Sequence, residues 1–168
     1  MKKSILLTFV LAAIVSTIFL TGCGKDSTSS TIKTDNYIGT YYGYFTLESL
    51  AFSNAALDTV IGKQLPDTLT ISENGNTTDN IVTATSKVLN TTIDLTLTSE
   101  TAAKLAITNK NVQIQTVSAT SVTASGTTSY NVSTKYLTLN ATATSGNVFG
   151  LPLLGLAKPV LGGYFTKQ

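Results

Sequence analysis

Thr92-Ile93-Asp94-Leu95-Thr96-Leu97-Thr98 alternates polar and apolar side chains without a break. Successive side chains of a strand point to opposite faces, so Ile93, Leu95 and Leu97 belong to a buried face. Asp94 belongs to the opposite, solvated one. Threonine suits such a position because its branched Cβ packs well on a pleated surface. This is the cleanest period-two signal in the chain, and its neighbours on both sides repeat it.

Upstream, Ile81 to Ser86 reads as a strand, preceded by Glu73-Asn74-Gly75-Asn76, whose Asn-Gly pair tolerates the positive φ angles of a tight hairpin. Before that turn, Leu69 and Ile71 alternate with Thr68, Thr70 and Ser72. Gly39 to Leu47 (GTYYGYFTL) is the first strong strand, with aromatic or apolar bodies on both faces. Glu48 to Gln64 reads as a loop with some helical turn. Downstream, Ser99 to Ile107 reads either as a capped helical turn or as a strand. Asn111 to Tyr130 carries two strand-like runs before an expected turn at Gly126. Leu137, Leu139, Ala141 and Ala143 form a further half-buried strand that ends at Ser145-Gly146-Asn147, and Gly163 to Lys167 closes the chain. Thr, Val and Ile make up 53 of the 168 residues, which favours strands throughout. Seven to ten strands at hairpin spacing with no long helix predict an all-β fold. A single small antiparallel β-barrel is the expected architecture, with a two-sheet β-sandwich as the alternative.

The amino terminus has a different character. Met1-Lys2-Lys3 precedes an apolar run from Ile5 to Leu20, and Leu20-Thr21-Gly22-Cys23 follows with the chain's one cysteine. A basic start, an apolar core and small residues at the cut are the parts of a secretory signal peptide, here an N-terminal signal helix. Leu20, Thr21, Gly22 and Cys23 resemble the lipobox of bacterial lipoproteins. That resemblance implies a diacylglycerol on the Cys23 thiol, cleavage before it, and usually an acylated new amino terminus. Two other readings stay open. One is an uncleaved anchor, although a run of 16 residues falls short of the roughly 17–25 of a spanning helix. The other is an ordinary signal peptide with an incidental Cys23. The expected division is residues 1–22 as leader, 23–35 as lipidated cysteine and polar tether, and 36–168 as the barrel domain. Gly24 stands where an Asp often signals inner-membrane retention in such families, so the resemblance places the protein at the outer membrane. Lys25-Asp26 resembles a charged signal for surface display.

Composition narrows the chemistry. Removing Lys2 and Lys3 with the leader leaves nine lysines and nine acids, so the mature chain is formally neutral. It has no basic footprint for nucleic acid. No histidine, tryptophan or arginine is present. Imidazole acid–base catalysis, Ser/His/Asp or Cys/His nucleophiles and a zinc site of the usual ligands are thereby excluded, and no disulfide can form. No catalytic residue, metal or cofactor is expected.

An opening strand of the type Gly39-Thr40-Tyr41-x-Gly43, Thr-rich hairpins, a final aromatic-Thr-Lys strand and the lipobox together resemble the calycin-like β-barrel lipoproteins of Gram-negative envelopes. That resemblance spans roughly residues 36–168 and implies a fold, without catalytic residues to carry over. Tyr41, Tyr42, Tyr44 and Tyr164 are candidate ligand-binding residues, because an aromatic ring offers a flat apolar face with a polar tip. The alternative is that they are ordinary strand residues at a barrel rim. Val148 to Val160 is apolar but broken by glycine and proline, and reads either as a contact patch or as a plug over one barrel end. The acids from Glu48 to Glu100 are scattered beside turns and read as solvated. Asp26-Ser27-Thr28, Asp58-Thr59-Val60 and Asp67-Thr68-Leu69 look like short O-glycosylation motifs. The expected protein is a non-enzymatic, lipid-anchored envelope barrel. It binds a small apolar or glycan ligand, or an envelope protein partner, in or at the mouth of the barrel. A structural or adhesive module with a filled core is the alternative.

Overall fold

A computed structural model describes residues 32–48, 57–75, 80–152 and 160–168. The leader, the lipobox residues Leu20 to Cys23 and most of the tether lie outside the described residues, as do 49–56, 76–79 and 153–159. The elements are β1 (Gly39–Glu48), a 3-10 turn (Leu57–Thr59), β2 (Gln64–Glu73), β3 (Ile81–Ser86), β4 (Thr91–Ser99), β5 (Ala102–Ile114), β6 (Val117–Asn131), β7 (Tyr136–Val148), β8 (Leu151–Pro152) and β9 (Val160–Lys167).

Strands β1 to β7 pair antiparallel in chain order, and β9 pairs with both β7 and β1. The result is a closed eight-stranded antiparallel barrel, with β8 a two-residue arm on β7. Closure excludes the two-sheet sandwich and leaves no long unpaired sheet edge. Among the described residues no long helix occurs.

The alternation from Ile93 to Leu97 lies where the sequence places it, with those three side chains buried and Asp94 outward. On the outer face Lys110 Nζ approaches Asp94 at 3.5 Å and donates to the Thr92 hydroxyl at 2.7 Å. Such a part-exposed pair contributes little, about 0–1 kcal/mol. Ile81–Ser86 is the expected returning strand. Residues Ser99 to Ile107, readable two ways, enter β5 as strand from Ala102.

Three local expectations change. Gly126 is not a turn: β6 runs through it, and the turn sits at Gln115-Thr116, where Gln115 has a φ of 52°. β7 likewise continues past Ser145-Gly146-Asn147 to Val148. The reason in β5 and β6 is a change of parity. Ala103, Leu105 and Ile107 are the buried positions early in β5, but Ile114 is the one near its end. A register shift between Ile107 and Lys110, with Asn109 at φ 50°, switches the inward-facing set from odd to even numbers. A matching shift in β6 between Thr120 and Thr123, with Ser121 at φ 52°, does the same. Such bulges keep an apolar face inward while bending the hairpin. The third change concerns Asp67, which is not a solvated turn acid but is 7% exposed and faces inward.

The interior differs between its two ends. At the end where the chain enters, Tyr37, Tyr41 and Tyr130 pack together, with ring centroids 5.6 Å apart for Tyr37–Tyr130 and 6.3 Å for Tyr41–Tyr130. The Tyr41 hydroxyl donates to the Tyr37 carbonyl at 2.8 Å. Lys167 Nζ donates to the Asp35 and Asn36 carbonyls at 3.1 and 2.9 Å and lies 5.9 Å from the ring centroids of Tyr41 and Tyr130. The carboxy-terminal strand thus fastens the entering chain over a filled barrel end. Midway, Phe45 and Phe165 meet edge to face at 4.9 Å.

Burial drives the Tyr41 phenol well above its ordinary value, reinforced by Tyr130 and Tyr37, and burial raises Tyr37 too. A phenol whose folded pKa exceeds its unfolded value of about 10 stabilises the fold below that value and loses this contribution as pH rises through the folded one. Lys167, lowered by burial and by Lys135, opposes this trend, though it is part-exposed and screened. Unfolding free energy is therefore expected to fall above about pH 10. The Tyr41→Phe variant should show a shallower fall, measured by urea titration across the alkaline range with tyrosinate absorbance as a second readout. An equal slope in both proteins would assign the effect elsewhere.

Candidate functional site

The opposite end is built differently. Here the hairpins β3–β4 and β5–β6, the end of β1 and the start of β9 converge, and the aromatic filling stops. Ala124, Ala141 and Ala143 stand where the other half carries rings, and they line a cavity of about 90 Å³ together with aliphatic side chains that include Leu47, Leu89, Ile107, Val122, Val148 and Leu161. Every described side chain that lines it is aliphatic. Small residues on β6 and β7 leave the space, and nothing polar in the lining invites water. Apolar cavities of this order stay dry and accept apolar guests.

Leu89 reaches the cavity because the β3–β4 turn folds inward, and Asp67 holds that turn. Its Oδ1 accepts from the backbone N–H groups of Thr68, Lys87 and Val88 at 2.8, 3.1 and 3.0 Å, and its Oδ2 accepts from the Ser86 hydroxyl at 2.6 Å. Ser86 Oγ in turn accepts from Leu89 N at 3.0 Å, and Gln113 N donates to the Leu89 carbonyl at 3.0 Å. A buried carboxylate is tolerable only with such a set of donors. No motif in the sequence announces this arrangement, because three of the four donors come from a turn about twenty residues away.

The four candidate tyrosines separate. Tyr41 is wholly buried inside the filled end, and Tyr42 points outward on the same strand, 53% exposed. Tyr44 and Tyr164 are brought together on the outer wall, directly opposite in the β1–β9 pairing, with centroids 5.7 Å apart and planes tilted by 37°. They wall a second concavity of about 470 Å³, on the outside of the barrel. Of the Val148–Val160 stretch, Val148 is buried, Phe149 forms an exposed turn tip at φ 52°, and 153–159 lie outside the described residues. Among the described residues no group of three or more potential metal ligands occurs.

Fold and site together define a closed eight-stranded meander barrel, filled at the end where the chain enters and hollow at the other, with a second concavity on its outer wall. The chain matches no protein-family model, no curated protein and no solved structure.

Proposed function

We propose that this is a non-enzymatic, lipid-anchored envelope barrel that holds a small apolar ligand, such as the end of an acyl or other aliphatic chain, in its hollow end. The observation that carries the reading is the all-aliphatic cavity of about 90 Å³ beneath the inward-folded Leu89 turn. Its size suits a few methylenes rather than a whole lipid. Each methylene moved from water into such a site contributes about 0.8 kcal/mol. A calycin-like assignment is supported by the closed antiparallel meander, and the lipobox resemblance of Leu20 to Cys23 supports anchoring at the outer membrane.

Two experiments test the two halves of this reading. In cells fed a clickable fatty acid, Cys23→Ser is expected to abolish acyl labelling of the protein, and continued labelling would sink the anchoring claim. For the ligand, residues 31–168 form a compact unit that contains the whole core, so a soluble fragment from Thr31 suffices. Titration of that fragment with 1-decanol should shift the methyl resonances of Ala143, Val122 and Ile107, and Ala143→Phe should abolish the shifts. Ala119→Leu, a smaller intrusion from another lining position on β6, should weaken them. Unchanged methyl resonances at saturating decanol would refute ligand binding.

A further inference from the structure

We infer that the outer-wall concavity beside Tyr44 and Tyr164 is a separate binding site for a neutral oligosaccharide, plain or N-acetylated. Strand register lays it out in rows. Across β1, β9, β7 and β6, one row reads Tyr44, Tyr164, Thr138, Ser129. The next, starting one strand earlier in β2, reads Gln64, Thr46, Gly162, Asn140, Thr127. In the second row a bare glycine stands between polar side chains. A Cβ at Gly162 would come within 2.9 Å of the Thr46 hydroxyl, so that position is kept empty and the backbone forms a floor. An outward strand face on a small barrel is ordinarily convex; this missing side chain, walled by two tilted rings, makes it concave. Its volume of about 470 Å³ falls within the roughly 300–1,000 Å³ typical of small-molecule sites.

The chemistry of the lining selects the occupant. Tyrosine rings present apolar faces to which the C–H side of a pyranose can stack, while hydroxyl and amide groups of Thr46, Asn140 and Gln64 meet its hydroxyls. Glu48 is the one charged side chain among the described lining residues, and no lysine is there. Phosphate, sulfate and carboxylate ligands are therefore disfavoured. A peptide adding as a strand is excluded here, because β1, β9 and β7 are paired on both sides and offer no free edge. This site shares no described lining residue with the hollow end, so it stands or falls independently of the apolar ligand.

The test is saturation-transfer NMR on the same soluble fragment with cellotetraose, maltotetraose, chitotetraose and, as the anionic control, sialyllactose. At least one neutral or N-acetylated tetraose should bind, with affinity reduced about tenfold or more in Tyr164→Ala. Asn140→Ala should weaken it as well. Tyr136→Ala, which removes an exposed tyrosine elsewhere on the wall, and Ala143→Phe, which fills the hollow end, should leave it unchanged. Binding of none of the three tetraoses, binding of sialyllactose alone, or binding insensitive to Tyr164→Ala would overturn the inference. Loss in Ala143→Phe with retention in Tyr164→Ala would place the sugar inside the barrel and overturn it equally.

Discussion

Gly43→Ala is expected to destabilise the barrel by about 3–5 kcal/mol, lowering its melting temperature by about 10 °C or more. Gly43 lies between the inward-facing Tyr41 and Phe45 and pairs with Phe165 of β9. A Cβ there would fall within the van der Waals sphere of the Tyr164 carbonyl oxygen and press on Phe165 Cα at 2.7 Å. Both are backbone atoms in a closed ladder, so neither can swing aside as a side-chain tip would. Gly126 is the counterpart across the barrel, against the Asn140 carbonyl and Ala141 Cα. Glycines at such close approaches let a small sheet coil enough to close. The control is Gly62→Ala. Nothing lies within 4 Å of a Cβ there and only its φ of 68° opposes the change, so it should cost about 1–2 kcal/mol. Thermal unfolding of Gly43→Ala, Gly126→Ala and Gly62→Ala decides the matter, and similar losses at all three positions would show that close approach is not what Gly43 provides.

Asp67→Ala should cost nearly as much, about 3–4 kcal/mol, by leaving the N–H groups of Lys87 and Val88 and the Ser86 hydroxyl without their acceptor. The effect should reach beyond stability. Once the β3–β4 turn is released, Leu89 no longer has a fixed place in the cavity wall, so decanol affinity should fall even under conditions where the variant stays folded. Asp67→Asn keeps an acceptor for the three N–H groups but turns an amide toward Ser86, and should cost less than half as much. Equal destabilisation by Asn and Ala, read from urea unfolding, would mean that charge rather than acceptor geometry holds the turn.

Much of the fold can be read from period-two patterning because a barrel wall separates inside from outside over most of its area. Ile93, Leu95 and Leu97, or Leu137 and Leu139, declare their face without help. The turns fared worse where a glycine serves packing instead of chain reversal. Gly126 carries the same local signal as a turn glycine, and only the neighbouring β7 backbone distinguishes the two. The bulges near Asn109 and Ser121 hide similarly, since a change of parity looks like a break between strands. Sites are less legible still. Tyr44 and Tyr164 are 120 residues apart, and their meeting depends on the register with which β9 closes on β1. The alanines of the hollow end look like ordinary small strand residues until the rings of the opposite end show what the space otherwise holds.

Whether the hollow end receives an apolar chain is read most directly from intermolecular NOEs between 1-decanol and the methyl-labelled soluble fragment. Cross-peaks are expected from the terminal methyl and adjacent methylenes of decanol to Ala124, Ala141 and Val148, with none to the exposed Val132 at the opposite end of the barrel. Cross-peaks confined to surface methyls such as Val132, or none to the cavity at saturating ligand, would contradict it.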